Sequence, residues 1–282
     1  MYSNKEIEQY YDLSQTHYKR VWDLKRSRSL HYGYWDSSTK NFHEALININ
    51  KILAEKAGIK QGEKVLDAGC GIGGSSLWLA KNIGCNVTGI SLSAKQVQTA
   101  NDLAKIENVQ SIAFFEQQDF TGTTYEAESF DIIWAIESVC HANDKNKFIN
   151  EAYRLLKKGG RLILADFFRK ENLAGNDAAL IKQWANGWAI DDFATIEKFT
   201  QLLTNAGFTN LNIEDATNKI IPSAKRLYRA YFPGVIGGFL YKLFNPKPTI
   251  YGKKNIDTAY LQYKSLKKNL WTYNIVLAEK KS

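Results

Sequence analysis

The feature that most constrains the fold of this 282-residue chain is a glycine-rich loop between an apolar strand and a helix. The loop runs Asp67-Ala-Gly-Cys-Gly-Ile-Gly73 and follows the apolar residues Val65 and Leu66. Gly69 and Gly71 permit a tight turn and close approach of the backbone to a ligand, and Gly73 lets the helix pack on the strand. Such a loop is typical of α/β sheets that bind an adenosyl or dinucleotide ligand beyond the carboxyl ends of their strands.

Predicted strands and helices alternate from residue 64 onward. The predicted strands are Lys64–Ala68, Asn86–Ser91, Ser111–Gln117, Asp131–Glu137, Arg161–Phe167, Asn210–Asp215 and Trp271–Ala278. The predicted helices among them are Gly74–Asn82, Ala94–Ile106, Lys145–Leu156 and Thr195–Ala206. Because strands joined by helices of this length form parallel sheets with right-handed crossovers, we expect an α/β fold with a Rossmann-like, mostly parallel seven-stranded sheet flanked by helices.

Segments outside this alternation have predicted roles of their own. Residues 1–60 are expected to form an N-terminal helical cap, and residues 61–282 the main domain. Within that domain, the stretches 169–194 and 219–270 are too long for plain loops. Since both follow late strands of the sheet, we expect them, with the N-terminal helices, to act as lids over the ligand.

Charge and cysteine content limit the classes of protein that fit. From Lys219 onward there are 13 Lys and Arg but 2 acidic residues, whereas the rest of the chain is close to neutral. This basic quarter could face nucleic acid, anionic lipid or a phosphorylated substrate, or be a solvated surface. Three cysteines at unrelated spacings favour neither disulfides nor a metal site, and no apolar run reaches 18 residues, so we expect a cytoplasmic protein.

Three segments together resemble class I methyltransferases that use S-adenosylmethionine (SAM). They are the glycine loop, Gln118-Asp-Phe120, and Leu155-Leu-Lys-Lys-Gly-Gly-Arg-Leu162. Asp67 at the start of the loop suits the ammonium of an amino acid better than a pyrophosphate. The resemblance implies SAM as cofactor, with Asp119 and Phe120 beside the adenine.

The second predicted strand ends without the acidic residue that many class I enzymes use to bind the ribose. Ser91 stands there, within Gly89-Ile-Ser-Leu-Ser-Ala-Lys-Gln96. This pattern is similar to the sterol, γ-tocopherol and glycine/sarcosine subgroup of small-molecule methyltransferases, which implies that Ser91 and Gln96 bind the ribose. The alternative is that Ser93 caps a helix and Gln96 is exposed.

Glu137 and His141 are the predicted catalytic residues. They lie four residues apart where the fourth strand ends, in a stretch that resembles the E-[AS]-x-x-H segment of sterol and tocopherol methyltransferases. A nucleophile that loses a proton on methylation needs such a base. Alternatively, Glu137 caps the next turn and His141 is a polar residue with ordinary partners.

Aromatic residues near the N-terminus are candidates for substrate contact. His31, Tyr32, Tyr34 and Trp35 resemble the H-Y-G-Y/W-W box of the same subgroup, and aromatic faces attract cations such as a sulfonium. Tyr11 and Tyr18 are further candidates of this type. The alternative is that these rings pack the N-terminal helices.

The segment from Pro222 onward combines aromatic and basic residues. Arg226 and Arg229 could bind the diphosphate of a prenyl substrate, because guanidinium groups bind phosphate oxygens in pairs. The segment could also contact a membrane surface or close over a lipophilic substrate. An ordinary lid helix with its basic face in water is the alternative.

The predicted function is transfer of a methyl group from SAM to a small lipophilic acceptor (isoprenoid, sterol or quinol-like), at carbon. N-methylation of a small amine is the alternative within the class, and a nicotinamide-dependent oxidoreductase is the alternative outside it. Nucleic-acid methylation is disfavoured, because the chain lacks an Asn/Asp-Pro-Pro-aromatic motif. We expect no metal and no nucleic-acid partner.

Overall fold

The structure is a computed structural model that describes residues 1–21, 27–244 and 250–282, with side chains described outside 13–26, 234 and 236–256. The strands are β1 (Lys64–Ala68), β2 (Asn86–Ser91), β3 (Ala113–Gln117), β4 (Phe130–Ile136), β5 (Leu156–Arg169), β6 (Phe208–Asp215) and β7 (Trp271–Lys280). The helices are α1 (Asn4–Val21), α2 (Phe42–Ala57), α3 (Gly74–Asn82), α4 (Ala94–Ile106), α5 (Lys145–Leu155), α6 (Gly175–Gly187), α7 (Ile196–Ala206), α8 (Thr217–Phe244) and α9 (Ile250–Lys267).

The seven strands form one sheet in the order β3-β2-β1-β4-β5-β7-β6. Strands β1 to β5 run parallel, and β7 pairs antiparallel with both β5 and β6. The predicted Rossmann-like sheet flanked by helices is therefore confirmed. The chain order reverses between β1 and β4, and ligands of such sheets bind outside the carboxyl ends of the strands at this reversal.

Apolar runs made the strands predictable, because strands covered by helices on both faces carry few polar residues. In β4, Ile132, Ile133 and Trp134 are all buried, which leaves no alternation of polar and apolar positions. Strand β5 begins earlier than its predicted start at Arg161. The Lys157-Lys-Gly-Gly160 stretch, which suggests a turn, is instead the start of this strand, and the pairing with β4 shifts register there.

The two stretches expected to be lids are mainly helical. The first contains α6, and the second contains α8 and α9. Trp184 of α6 lies against Trp271 and Phe193, with ring centroids 4.9 and 4.4 Å apart. All three rings are fully buried, so these helices complete the hydrophobic core beside β5 and β7.

Candidate active site

A cavity of about 350 Å³ opens at the carboxyl ends of β1, β2 and β4. Its walls come from the glycine loop, the residues after β2, β3 and β4, and the N-terminal residues 4–31. Those N-terminal residues are Asn4, Ile7, Glu8, Tyr11, Arg28, Ser29, Leu30 and His31. Among the described residues of 169–194 and 219–270, none lines this cavity, and the cover observed here is N-terminal.

The glycines of the loop have different physical requirements. Gly69, Gly71 and Gly73 all have positive φ, at 93°, 55° and 85°. A Cβ at Gly69 would lie 2.4 Å from that of Ser138, and one at Gly73 would lie 2.8 Å from the Phe115 ring. A Cβ at Gly71 would meet nothing within 4 Å. Packing therefore requires two of these glycines, and the open space at the third leaves room for a ligand.

Asp67 is buried at the floor of the cavity, where its carboxylate accepts a hydrogen bond of 2.6 Å from Ser76 Oγ. Burial raises the pKa of Asp67 to about 7, against the lowering effect of that hydrogen bond. A cation nearby would favour the ionised carboxylate and lower this pKa again. The position therefore suits the ammonium of an amino acid.

Ser91 and Gln96 meet after β2, as the candidate ribose site requires. Ser91 Oγ donates to Gln96 Oε1 at 2.8 Å, and both residues line the cavity. Gln96 is 3% exposed, and its Nε2 has no hydrogen-bond partner among the described residues. Ser93 does cap α4, as the alternative held, but Gln96 is not exposed. A buried amide donor without a partner fits a ligand hydroxyl.

Asp119 and Phe120 follow β3 and also line the cavity. The Asp119 carboxylate accepts from the backbone N–H of Thr121 at 2.8 Å and from Asn4 Nδ2 at 2.6 Å. The Phe120 ring meets Phe148 edge to face, with centroids 5.5 Å apart. A hydrogen-bond acceptor beside a planar ring is a suitable arrangement for an adenine amine.

Glu137 follows β4 and is held in an unusual backbone conformation, with φ of 50°. Its Oε1 accepts from the backbone N–H of Tyr32 at 2.7 Å and from the hydroxyl of Tyr273 at 2.9 Å. Burial raises the pKa of Glu137 well above its usual range. Positive φ at a non-glycine residue stores strain and is common at functional sites. The carboxyl lines the cavity four residues before His141.

His141 ends a single 3₁₀ turn after β4, and its Nε2 lies 2.7 Å from the hydroxyl oxygen of Tyr11 in α1. Burial, with the charge of Lys145, lowers the pKa of His141 to about 4, so the ring is neutral near pH 7. The structure thus joins a residue predicted as catalytic to one predicted as substrate-binding. Both line the cavity.

The aromatic box does not act as a unit. His31 lines the cavity, whereas Tyr32 and Tyr34 are buried away from it. Tyr32 donates its hydroxyl to Gln262 of α9 at 2.8 Å, and Trp35 donates its Nε1–H to Ser223 of α8 at 2.9 Å. These rings attach the N-terminal region to α8 and α9, as the packing alternative held.

The remaining candidates for substrate contact lie elsewhere. The Arg226 guanidinium lies over the ring of Phe42, 4.7 Å from its centroid, and Arg229 is exposed. Neither arginine lines the cavity. The side chain of Tyr18 lies outside the described residues.

Sequence reasoning missed two polar residues of α1 that hold the cover in place. Asn4 bonds Asp119, and Asp12 accepts from Ser93 Oγ at 2.6 Å. No motif marks them. The one available signal was a polar helix placed before an α/β domain.

Two further findings concern the described part of the chain only. Within it, no cluster of His, Cys, Asp or Glu is placed to hold a metal ion. None of its helices combines the length and apolar character needed to cross a bilayer.

Sequence comparison places this geometry in a family. Residues 66–164 match the family described as Methyltransferase domain. The chain is 30% identical over 230 residues to methyltransferase GfsG of Streptomyces halstedii, covering 81% of each protein. It is 33% identical over 218 residues to 27-O-demethylrifamycin SV methyltransferase of Amycolatopsis mediterranei, covering 77% of this chain and 79% of that relative.

The chain belongs to the SAM-dependent methyltransferases. SAM is its cofactor, and small molecules are the substrates of its relatives. The nicotinamide-dependent alternative is therefore set aside.

Solved structures agree on the fold of this methyltransferase. The [4+2]-cyclase SpnF has a TM-score of 0.80 at 23% identity, with 99% of this chain and 97% of that one covered. Geranyl diphosphate methyltransferase, solved with GPP and sinefungin, has a TM-score of 0.77 at 17% identity, with 98% and 99% covered. At these identities the likeness establishes shared architecture.

Proposed function

We propose that this methyltransferase O-methylates a hydroxyl group on a small, largely apolar acceptor. The observation that carries the proposal is the hydrogen bond between Tyr11 and His141 inside the cavity. A hydroxyl that is methylated loses its proton, and this pair can receive it.

The pair offers a short path for that proton. With SAM bound, the cofactor supplies an electrophilic methyl carbon. The acceptor hydroxyl donates to the Tyr11 oxygen while Tyr11 passes its own proton to Nε2 of His141. When the acceptor oxygen takes the methyl group and the bond from the methyl carbon to sulfur breaks, the proton released by the acceptor would end on His141. Glu137 lines the same cavity, but burial raises its pKa and so disfavours the charge that could stabilise an imidazolium, and this proton path does not depend on it.

The apolar character of the acceptor rests on the cavity wall and on the relatives. Ile7 of α1, Leu30 and Ile136 line the cavity among its polar residues. 27-O-demethylrifamycin SV methyltransferase and tocopherol O-methyltransferase, named for O-methylation, are among the relatives. C-methylation, expected from the sequence, is the second candidate, because the buried carboxyl of Glu137 could oppose the cation formed when an alkene is methylated.

A labelled-methyl screen tests the proposal. The protein is incubated with methyl-labelled SAM and one acceptor at a time. The acceptors are hydroxylated polyketides, quinols, sterols, prenyl diphosphates and small amines. We expect turnover with a hydroxyl acceptor, and an O–CH₃ resonance in the NMR spectrum of the product. An N–CH₃ product would overturn the proposal, and a C–CH₃ product would establish the second candidate in its place.

We further propose that the protein works in the cytoplasm and associates peripherally with anionic membrane surfaces through α8. Ile221, Lys225, Arg229 and Phe232 recur at helical spacing and are all exposed, and Phe232 is 50% exposed. Between residues 217 and 256 the chain has eight Lys and Arg and no acidic residue. Exposed apolar and basic residues on one helical face suit a lipid interface.

Vesicle sedimentation tests this association. We expect binding to phosphatidylserine-containing vesicles and loss of binding in a Lys225→Glu/Arg229→Glu variant. A Lys40→Glu/Lys95→Glu variant makes the same charge change at exposed positions on the rest of the molecule and serves as the matched control. Equal loss of vesicle binding in both variants would show that binding depends on the net charge of the protein, and it would contradict a role for α8.

A further inference from the structure

The side chain of His31 has one satisfied nitrogen and one unsatisfied nitrogen. Its Nδ1 lies 2.9 Å from the backbone carbonyl oxygen of Tyr32. Its Nε2 is buried and has no hydrogen-bond partner among the residues described. His31 is 6% exposed and lines the cavity. A buried polar atom without a partner calls for an explanation, such as a ligand that supplies one.

The contact at Nδ1 decides what kind of ligand group this is. A carbonyl oxygen can only accept, so Nδ1 carries the hydrogen and donates it. In a neutral imidazole, Nε2 is then the nitrogen with the lone pair and can only accept. Burial lowers the pKa of His31 to about 4, which keeps the ring neutral near pH 7. The missing partner must therefore be a hydrogen-bond donor.

The path of the chain places this acceptor at one end of the cavity. A Cβ at Gly74, in the first turn of α3, would lie 2.3 Å from the carbonyl oxygen of Arg28 and 2.8 Å from Ser29 Oγ. Residues 28–31 thus cross directly over the end of the glycine loop. The next residue, Tyr32, bonds Glu137 through its backbone N–H. His31 lies between these two anchors and lines the cavity.

We infer that His31 Nε2 accepts a hydrogen bond from the α-ammonium group of the cofactor's amino-acid end. The inference rests on the family assignment and on a binding pose in which the amino-acid end of SAM faces the glycine loop. The amino-acid end of SAM has two charged groups. Its ammonium donates hydrogen bonds, whereas its carboxylate only accepts them, so the lone pair on His31 Nε2 attracts the ammonium and repels the carboxylate. His31 would then bind the cofactor, whereas Tyr32 and Trp35 of the same box bond Gln262 and Ser223 of the C-terminal helices.

Calorimetric titration with three ligands tests this assignment without any methyl acceptor. S-adenosylhomocysteine (SAH) has both charged groups, 5′-deoxy-5′-(3-aminopropylthio)adenosine keeps only the amine, and methylthioadenosine has neither. We expect His31→Ala to weaken the first two ligands about tenfold to a hundredfold and methylthioadenosine by no more than about twofold. Binding of methylthioadenosine also reports that the variant is folded.

Two further variants sharpen the result. His31→Gln should restore most of the affinity for the amine-bearing ligands, because a glutamine carbonyl oxygen also accepts near the position of Nε2. Asp119→Asn should weaken all three ligands alike, since adenine is common to them. Equal loss of all three in His31→Ala, loss of SAH alone, or no loss would each overturn the inference. None of these outcomes depends on which acceptor is methylated, so the proposed function is tested separately.

Discussion

Two regions of this methyltransferase have the same sequence character, aromatic residues among polar and basic ones, yet different places in the fold. Described residues between Asn4 and Tyr11 and between Arg28 and His31 lie at the carboxyl ends of β1, β2 and β4 and form one wall of the cavity. Helices α8 and α9 pack on each other, with the Tyr228 and Tyr263 rings 4.9 Å apart, and α9 also packs on α6.

The difference shows that position relative to the strand ends, rather than composition, decides which aromatic segment meets the ligand. Tyr11 reaches His141 because α1 crosses the end of β4 where ligands bind. Tyr231 in α8 contacts Tyr260, with 5.2 Å between the ring centroids and the rings tilted by 41°, and it does not line the cavity.

The largest expected effect is on methyl transfer. His141→Ala should lower kcat by about 10²- to 10⁴-fold with the acceptor found by the screen, because the proton acceptor is lost. Tyr11→Phe should lower kcat in the same range, while SAH affinity changes little in both variants. The matched control is Tyr231→Phe, which removes a hydroxyl from the other aromatic region and should leave kcat unchanged. If that control costs as much as Tyr11→Phe, the contrast between the regions is wrong.

The second expected effect is on stability. Trp184 is fully buried against Trp271 and Phe193, so Trp184→Ala should lower the free energy of unfolding by about 3–5 kcal/mol. Asn4→Ala, which changes a side chain of the cover, should cost less than about 1 kcal/mol. Chemical denaturation measures both. A small loss in Trp184→Ala would mean that α6 is not part of the hydrophobic core and can act as a detachable lid.

The third prediction concerns pH. Burial raises the pKa of Asp67 to about 7 in the free protein, so below pH 7 its carboxyl group is mostly protonated. A bound ammonium group favours the ionised carboxylate, so binding below that pH must release the proton of Asp67. SAH affinity should therefore rise as pH increases from about 5.5 to 7 and then level off. Asp67→Asn should bind SAH more weakly and lose this rise.

The same carboxyl sets an opposite trend in the stability of the free protein. Its folded pKa lies above the unfolded value, so its contribution is present at low pH and is lost as pH rises from about 4 to 7. Asp67→Asn should thus raise the melting temperature of the free protein at pH 8 relative to the parent. A parent whose SAH affinity is flat across this range would contradict a role for Asp67 at the ammonium.

The smallest expected effect is on closure of the cover. Asn4→Ala removes the hydrogen bond from α1 to Asp119, and Asp12→Ala removes the hydrogen bond that α1 accepts from Ser93. Each should weaken SAH binding by about three- to tenfold. Lys225→Ala/Arg229→Ala, on the exposed face of α8, should leave SAH binding unchanged. A loss in that control equal to the losses in α1 would show that both regions contribute to closure.

Much of the fold could be predicted because its signals are local. The strands that gave unbroken apolar runs, such as Ile132–Trp134, were predicted within a residue or two of their bounds. The glycine loop identified the cofactor class for the same reason, since positive φ at three closely spaced positions is a backbone requirement that only glycine meets easily. Strand β5 was predicted too short, because a pair of glycines read as a turn lies within a bulged strand.

The amino-acid pattern alone predicted the seven strands, the helices α3, α4, α5 and α7, the glycine loop, and the position of Glu137 and His141 after β4. It did not predict α6, α8 and α9, which lie in the two stretches expected to be lids. Only the tertiary structure decided which aromatic residues meet the ligand. In the box that begins at His31, one side chain lines the cavity, and its neighbour Tyr32 is buried against Gln262 of a helix 230 residues later. The physical reason is that backbone propensity and hydrophobic pattern act over a few residues, whereas the wall of a cavity is assembled from segments that only the packed sheet brings together.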